Sequence, residues 1–412
     1  ESTVRVRKTE GVVFDHVRIM AASRGIRLGD VNTDTVFQHC EVRGGWPTWL
    51  FRSDRKDEYC FLENGESVPN TLAKHTSSVI LSGVGANTGT QVHHCEFSDG
   101  HDLYLFGTGM RFHHNWVHNF NDDALVLNAV PTVDARVWQN VFTQCLMAIS
   151  YGGPPNVSGQ CSVFRNLIDM RRPTAGIRPR SDGDEDVWRQ GAFYKSNDAD
   201  GPLDLFHNTA ITLVAGAVRM PSGEEPTKAA FNHYGHQGTA RLRSFNNIFV
   251  AITPQQYAHL DRHVAFLPGE LPPGPTNGNC YFRSGHEPPW NMPMFGIDGT
   301  AKKYDSLSEY LGSMEHQPGY EDDSTDQEPP FRSFQFDGTI DDDHDDLRLT
   351  DGNPDHNAVQ LPDDLDHMDP LSLSWIPEFL RPRQHMGCYG SFGVPLAVGV
   401  GGRRRFPPPG TT

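Results

Sequence analysis

Positive charge is in short supply: 35 Lys and Arg stand against 52 Asp and Glu, a formal net charge of -17 over 412 residues. A chain this acidic has no general affinity for nucleic acid or an anionic membrane. An acidic polysaccharide can approach it only through a locally basic cleft or a bound calcium ion. No apolar run reaches the roughly 20 residues of a membrane-spanning helix. The seven cysteines show no CxxC or CxxH spacing, so there is no zinc or haem signature, and their odd number leaves at least one thiol unpaired in a monomer. Apolar periodicity of 3.6 residues is also missing, which argues against a helical architecture. Present in quantity are 40 glycines and 30 prolines, the punctuation of a chain rich in turns.

Between the turns a short phrase recurs nine times. An aromatic or aliphatic residue, a His, Gln or Arg, and then Asn or Cys lead into apolar/polar alternation. Examples are Phe14-Asp15-His16, Phe37-Gln38-His39-Cys40, Val92-His93-His94-Cys95, Phe112-His113-His114-Asn115, Val137-Trp138-Gln139-Asn140, Phe164-Arg165-Asn166, Phe206-His207-Asn208, Phe245-Asn246-Asn247 and Asn279-Cys280. Aligned on His16, Cys40, Cys95, Asn115, Asn140, Asn166, Asn208, Asn247 and Cys280, a coil takes roughly 20 to 26 residues, and longer steps carry insertions. A period in the twenties with strand-type alternation predicts stacked parallel strands, a β-helix. Alternate residues then point inward, so Val42, Phe97, Val117, Phe142 and Ile168 are expected to form one internal stack. The His, Asn and Cys of the recurring columns are read as structural rather than as metal ligands. An inward Asn hydrogen-bonds its equivalents above and below, and a buried Cys acts as a small hydrophobe.

These repeats, with phrases such as Val12-Val13-Phe14-Asp15-His16-Val17 and Phe112-His113-His114-Asn115-Trp116-Val117-His118, resemble the right-handed parallel β-helix superfamily over residues 4 to 290. That superfamily includes pectate lyases, polygalacturonase-like glycosidases, alginate lyases and epimerases, and phage tailspikes. Asp346-Leu347-Arg348-Leu349, Gly352-Asn353-Pro354, Arg381-Pro382-Arg383 and Met386-Gly387-Cys388-Tyr389 are similar to the closing segments of secreted bacterial members. The resemblance implies an all-β, right-handed solenoid and an extracellular or cell-surface location. It does not choose a chemistry, because one fold hosts several.

The expected organisation is a β-helix over 1–290, an irregular acidic segment and C-terminal cap over 291–395, and a flexible basic tail over 396–412. A short helix is predicted within Tyr304 to Leu311, with Ser306 as N-cap and Glu309 at the third position. At the amino end a repeat strand begins almost at once, so an upstream segment or a partner chain is expected to cover the apolar cross-section. The acidic run around Asp341, Asp343 and Asp345 has the oxygen density of a calcium loop without its spacing. Calcium is therefore the one cofactor considered, the alternative being none.

Chemistry is sought where columns depart from the structural rule. Aligning Leu103 to Phe106 with Ala124 to Leu127 places His101 beside Asp122 and Asp102 beside Asp123. Stacked carboxylates repel when both are ionised, which suits paired acid and base roles. Asp122-Asp123 is similar to the paired aspartates of polygalacturonase-like enzymes, with the order of the His and Asp segments reversed. Asp99-Gly100-His101-Asp102 resembles the Asp-Pro-His-Asp segment of alginate epimerases, with Gly100 in place of Pro. Asp, Asn and Gly are also what plain turns prefer. Aromatic rings and Arg suit sugar faces and carboxylates, so Trp46, Trp49, Arg52, Asp99, Tyr104, His118, Tyr151 and Arg172 are the candidate substrate contacts. The expected function is a secreted glycosidase or lyase acting on a polysaccharide. The alternatives are a uronate epimerase and a non-catalytic glycan- or calcium-binding surface protein.

Overall fold

A computed structural model describes residues 2–20, 24–44, 59–61, 67–69, 79–84, 87–100, 102–105, 107–127, 133–152, 160–171, 174–179, 185–190, 192–197, 202–213, 231–232, 242–252, 264–267, 275–284, 295–297, 302–313, 318–336, 345–350, 358–369, 386–388, 396–400 and 404–406. Most of the strands pair in parallel in two large stacked sheets, consistent with a parallel β-helix.

Each coil follows one itinerary. A strand of the nine-stranded sheet, for example Gln91–His93 or Arg111–His113, runs into a turn and then into a strand of the eighteen-stranded sheet, such as Glu96–Gly100. The turn is made by one residue in the left-handed conformation. His16, His39, His94, His114, Gln139, Arg165, His207 and Asn246 all have φ between 51° and 57°. His and Asn enter this region more readily than most side chains, which accounts for their recurrence in the phrase. Gly278, at φ 67°, continues the column where Val359 packs so close that a Cβ would fall 2.7 Å from its Cγ2.

The residue after this turn faces inward and builds a ladder. Asn115 donates through both its backbone N–H and Nδ2 to Asn140 Oδ1, at 2.9 and 3.0 Å, and Nδ2 also reaches the carbonyl of Val92 at 2.9 Å. The same pattern repeats from Asn140 to Asn166, Asn208, Asn247 and Asn279. The side-chain amides of these rungs are thereby satisfied. Cysteines continue the column at the amino end, where the Cys40 N–H donates to Cys95 Sγ and the Cys95 N–H to Asn115 Oδ1. The structural reading of the Asn and Cys column holds, with a correction at both ends. Glu41 N–H bonds the Val17 carbonyl, so Val17 rather than His16 lies level with Cys40. At the other end the rung is Asn279, not Cys280.

The internal stack is as expected. Val42, Phe97, Val117, Phe142 and Ile168 pair in register and are at most 1% exposed, and Ala210, Phe249 and Tyr281 extend the column. Beyond Tyr281 the interior is closed by Phe295, Tyr304, Leu307 and Tyr310. The last two lie on the short helix Leu307–Leu311, where the Ser306 side chain accepts from the Glu309 N–H and Glu309 Oε2 accepts from the Asp305 N–H. Ser306 is thus the N-cap predicted from sequence, with Glu309 at the third position reaching back to the N–H one residue before the cap.

Outside, the amino-terminal and carboxy-terminal coils differ. From Val141 onward the outer face of the eighteen-stranded sheet turns apolar (Leu167, Ile211, Ile248, Val250), and Leu347, Leu349, Met386, Cys388 and Val398 cover it. Leu361 and Leu365 cover Phe164, Phe206 and Phe245 on the other sheet. Arg165, fully buried, holds this strap through a two-point contact with Asp369 and a 2.8 Å bond to the Gly387 carbonyl. Within the region expected as a tail, Leu396–Val398 pairs antiparallel with Arg404–Phe406. Cys40, Cys95, Cys145, Cys161, Cys280 and Cys388 are buried free thiols. No helix among the described residues is long and apolar enough to cross a membrane.

Candidate functional site

The amino-terminal coils carry the sequence-derived site. Ser98, His118 and Thr143 pair in register, as the alignment on the repeat phrase requires. Immediately afterwards, Asp99, Asn119 and Gln144 each adopt a left-handed φ of 54° to 59° and form a second bend column. Asp99 is held within it. Its carboxylate accepts from Arg43 Nε at 2.5 Å and from the Asn119 side-chain amide. Those contacts give Asp99 a turn-fixing role.

The register past this bend departs from expectation. Gly100 pairs with Phe120, but Tyr104 pairs with Val126, not with Leu125 as the alignment requires. Two extra residues on the Trp116–Leu127 strand are absorbed between these points, and a one-residue irregularity recurs against the next coil between Phe120 and Asp123. Asp102 and Asp123 both lie within this irregular stretch on adjacent coils, where one strand carries more residues than its neighbour.

Asp102 is a nearly buried carboxylate. It is 4% exposed, and Tyr104 Oη, two residues on along the strand, donates to its Oδ2 at 2.8 Å. Asp123 is half-buried opposite Met147. Asp122 lies on the same strand with its side chain outside the described residues, as do the whole of His101, Trp46, Trp49, Arg52, Arg172, Asp341 and Asp343.

The remaining candidates are placed elsewhere. His118 stacks on Trp116 with ring centroids 4.0 Å apart and lies 3.1 Å from Glu96 Oε1, while Trp116 Nε1 donates to Thr143. This outward network sits on the strand before the bend. Tyr151, expected at the cleft margin, is 1% exposed in the core, and its hydroxyl donates to the Pro202 carbonyl at 3.4 Å. It pairs with Leu127, an inward position, so strand parity removes it from any surface site. Asp345, one of the weak calcium candidates, lies 2.6 Å from Nη1 of Arg171, which also bonds Asp169 and lies over the Phe334 ring. That carboxylate anchors the strap. Among the described residues, no three His, Cys, Asp or Glu side chains converge to hold a metal ion.

The reading from sequence missed the Tyr104–Asp102 bond as a unit. An Asp-x-Tyr pair at i, i+2 on a strand puts both side chains on one face, and that was the available signal. No family model, curated protein or solved structure matches the chain. The class defined by the structure is therefore an all-β protein of stacked parallel strands.

Proposed function

We propose that the chain is a right-handed parallel β-helix of the carbohydrate-active kind, secreted, and that it acts on a polysaccharide laid across its amino-terminal coils. The observation that carries this reading is the shielded Asp102 carboxylate bonded by Tyr104 Oη, one coil from Asp123. A carboxylate shielded from water and paired with a phenol can exchange a proton with a bound sugar, and a second carboxylate nearby supplies the complementary base or nucleophile. Asp102 with Tyr104, or His101, is assigned the proton donor, Asp123 with Asp122 the base or nucleophile, and Trp46, Trp49, Arg52 and Arg172 the substrate contacts. Glycosidase and lyase chemistry both fit, and calcium would serve to bridge a uronate to this acidic surface.

The test is incubation with neutral and uronate polysaccharides, with and without calcium, following reducing ends and unsaturated products. Asp102→Asn and Tyr104→Phe are expected to lower turnover by about 100-fold or more while circular dichroism is unchanged. Glycan binding without turnover by the wild type would replace the enzymatic reading with a lectin-like one. Neither turnover nor binding would remove both.

A further inference from the structure

The left-handed turns place a file of imidazoles on the outer surface of the first coils. His16, His39, His94 and His114 follow one another at centroid separations of 4.9, 5.3 and 4.8 Å. Beside this file runs a second, from His93 to His113, 5.0 Å apart with planes 8° from parallel, then Trp138 at 4.2 Å. The two files meet edge on. Nδ1 of His93 lies 3.0 Å from Nδ1 of His94, and Nδ1 of His113 lies 2.8 Å from Nδ1 of His114. Nδ1 of His39, next in the file, is buried and has no hydrogen-bond partner.

Packing alone does not require this arrangement. Further along, the same two positions are occupied by Trp138-Gln139 and Phe164-Arg165, and the second of these lies under the C-terminal strap. Histidine pairs occur on two consecutive coils, and of the described strap Gly399 reaches the second of them, its N–H donating to the His114 carbonyl at 3.1 Å. The rings are half-buried.

We propose that His93-His94 and His113-His114 form a bis-imidazole site for a late first-row divalent cation, Cu2+ foremost and Ni2+ next, with one ion per chain held by one pair at a time. Two nitrogens 2.8–3.0 Å apart, at metal–nitrogen distances of about 2.0 Å, subtend an angle of about 90° at the ion. That is the cis angle of the tetragonal geometry preferred by Cu2+ and Ni2+. Tetrahedral Zn2+ needs the nitrogens about 3.3 Å apart. No third ligand converges among the described residues, so water fills the remaining positions. Binding requires both Nδ1 atoms unprotonated. The ring that carries its proton on Nδ1 passes it to Nε2 by exchange with water, both rings turn about χ2 until their Nδ1 lone pairs face the ion, and no net proton is released.

The experiment titrates full-length protein without an affinity tag with CuSO4, and in parallel with NiCl2, which thiols do not reduce. One equivalent of Cu2+ is expected to bind with a dissociation constant of about 10 μM or tighter, and its electron paramagnetic resonance spectrum should show coupling to two nitrogens. In His93→Gln/His94→Gln/His113→Gln/His114→Gln, affinity is expected to fall at least about 100-fold, two decades of the affinity scale. Gln38 and Gln139 already occupy the two files, and Gln139 has φ 51°, so glutamine fits both positions. Should that variant not fold, His94→Gln/His114→Gln breaks both chelates with half the changes and is expected to lose the two-nitrogen spectrum. Binding that survives in either folded variant, or no binding tighter than about 100 μM by the wild type, overturns the proposal. Zn2+ binding tighter than Cu2+ would overturn the assigned geometry.

Discussion

Asp369→Ala will destabilise the protein by about 4 kcal/mol, because it leaves a buried guanidinium without its counter-charge. Arg165 and Asp369 side chains are both 0% exposed, and three hydrogen bonds of 2.7 to 3.1 Å join them. Arg165 also sits in the left-handed turn column, at φ 55°, so its backbone cannot relax without disturbing the coil. Once Asp369 is truncated, the cation keeps the Gly387 carbonyl as a partner and little else. It must either stay uncompensated or pull the strap open to reach water.

The strap offers a local readout that separates these outcomes. Cys388 follows Gly387, its N–H donates to Thr209 Oγ1 at 3.0 Å, and burial pushes its thiol up to about 12, which makes it unreactive in the native state. In Asp369→Ala, Cys388 is expected to be the first cysteine alkylated at denaturant concentrations where Cys145 and Cys161 inside the coils remain protected. Arg165→Met/Asp369→Leu should recover most of the loss, since replacing both charges by apolar groups of similar volume removes the desolvation cost as well as the attraction. A change within about 0.5 kcal/mol for Asp369→Ala, with Cys388 as protected as in wild type, would show that the pair contributes nothing to holding the strap.

That strap marks the boundary of what the sequence makes legible. Coil period, internal stack, Asn ladder and the Ser306 cap all follow from local rules that repeat, so each copy confirms the others. The end members of the ladder were misplaced by one because their phrases are incomplete: Phe14-Asp15-His16 ends in Val17, and Asn279 is followed by a Cys that mimics a marker. The register of the candidate site failed for a deeper reason. Two residues absorbed between Phe120 and Val126 change which side chains meet, and nothing in a pattern of period two announces where a strand will bulge. Tyr151 went astray on parity in the same way. Contacts across the longest separations, Arg165 to Asp369 and Arg171 to Asp345, have no periodic signature at all.

The ladder's carboxy-terminal end leads to the second large effect. Each rung passes a donor forward, so the last amide, on Asn279, needs an acceptor that no further coil provides. Glu321 supplies it. Its side chain accepts from Asn279 Nδ2 at 3.1–3.2 Å, from Tyr281 Oη at 2.8 Å and from Ser324 Oγ, while Asn279 N–H donates to Ser324 Oγ at 2.9 Å. Glu321→Ala strands these buried donors together and is expected to cost about 3 kcal/mol in chemical denaturation at pH 5. Burial, the largest influence on this carboxyl, raises its pKa above the ordinary value of 4.5 against the opposing hydrogen bonds. The folded state therefore holds the proton more tightly than the unfolded chain does. The contribution is fully present below about pH 4.5 and is lost as the pH rises through the folded-state value, where the unfolded chain binds fewer protons than the native one. Glu321→Gln keeps the shape and an acceptor for Asn279, with Tyr281 and Ser324 hydroxyls free to turn toward the new amide. It cannot ionise, so between pH 5 and pH 8 the stability of wild type relative to this variant should decline, levelling off once the folded carboxyl has ionised. A difference that stays flat, or grows with pH, would mean that Glu321 is ionised in the folded protein throughout this range and that the ladder ends on a charge.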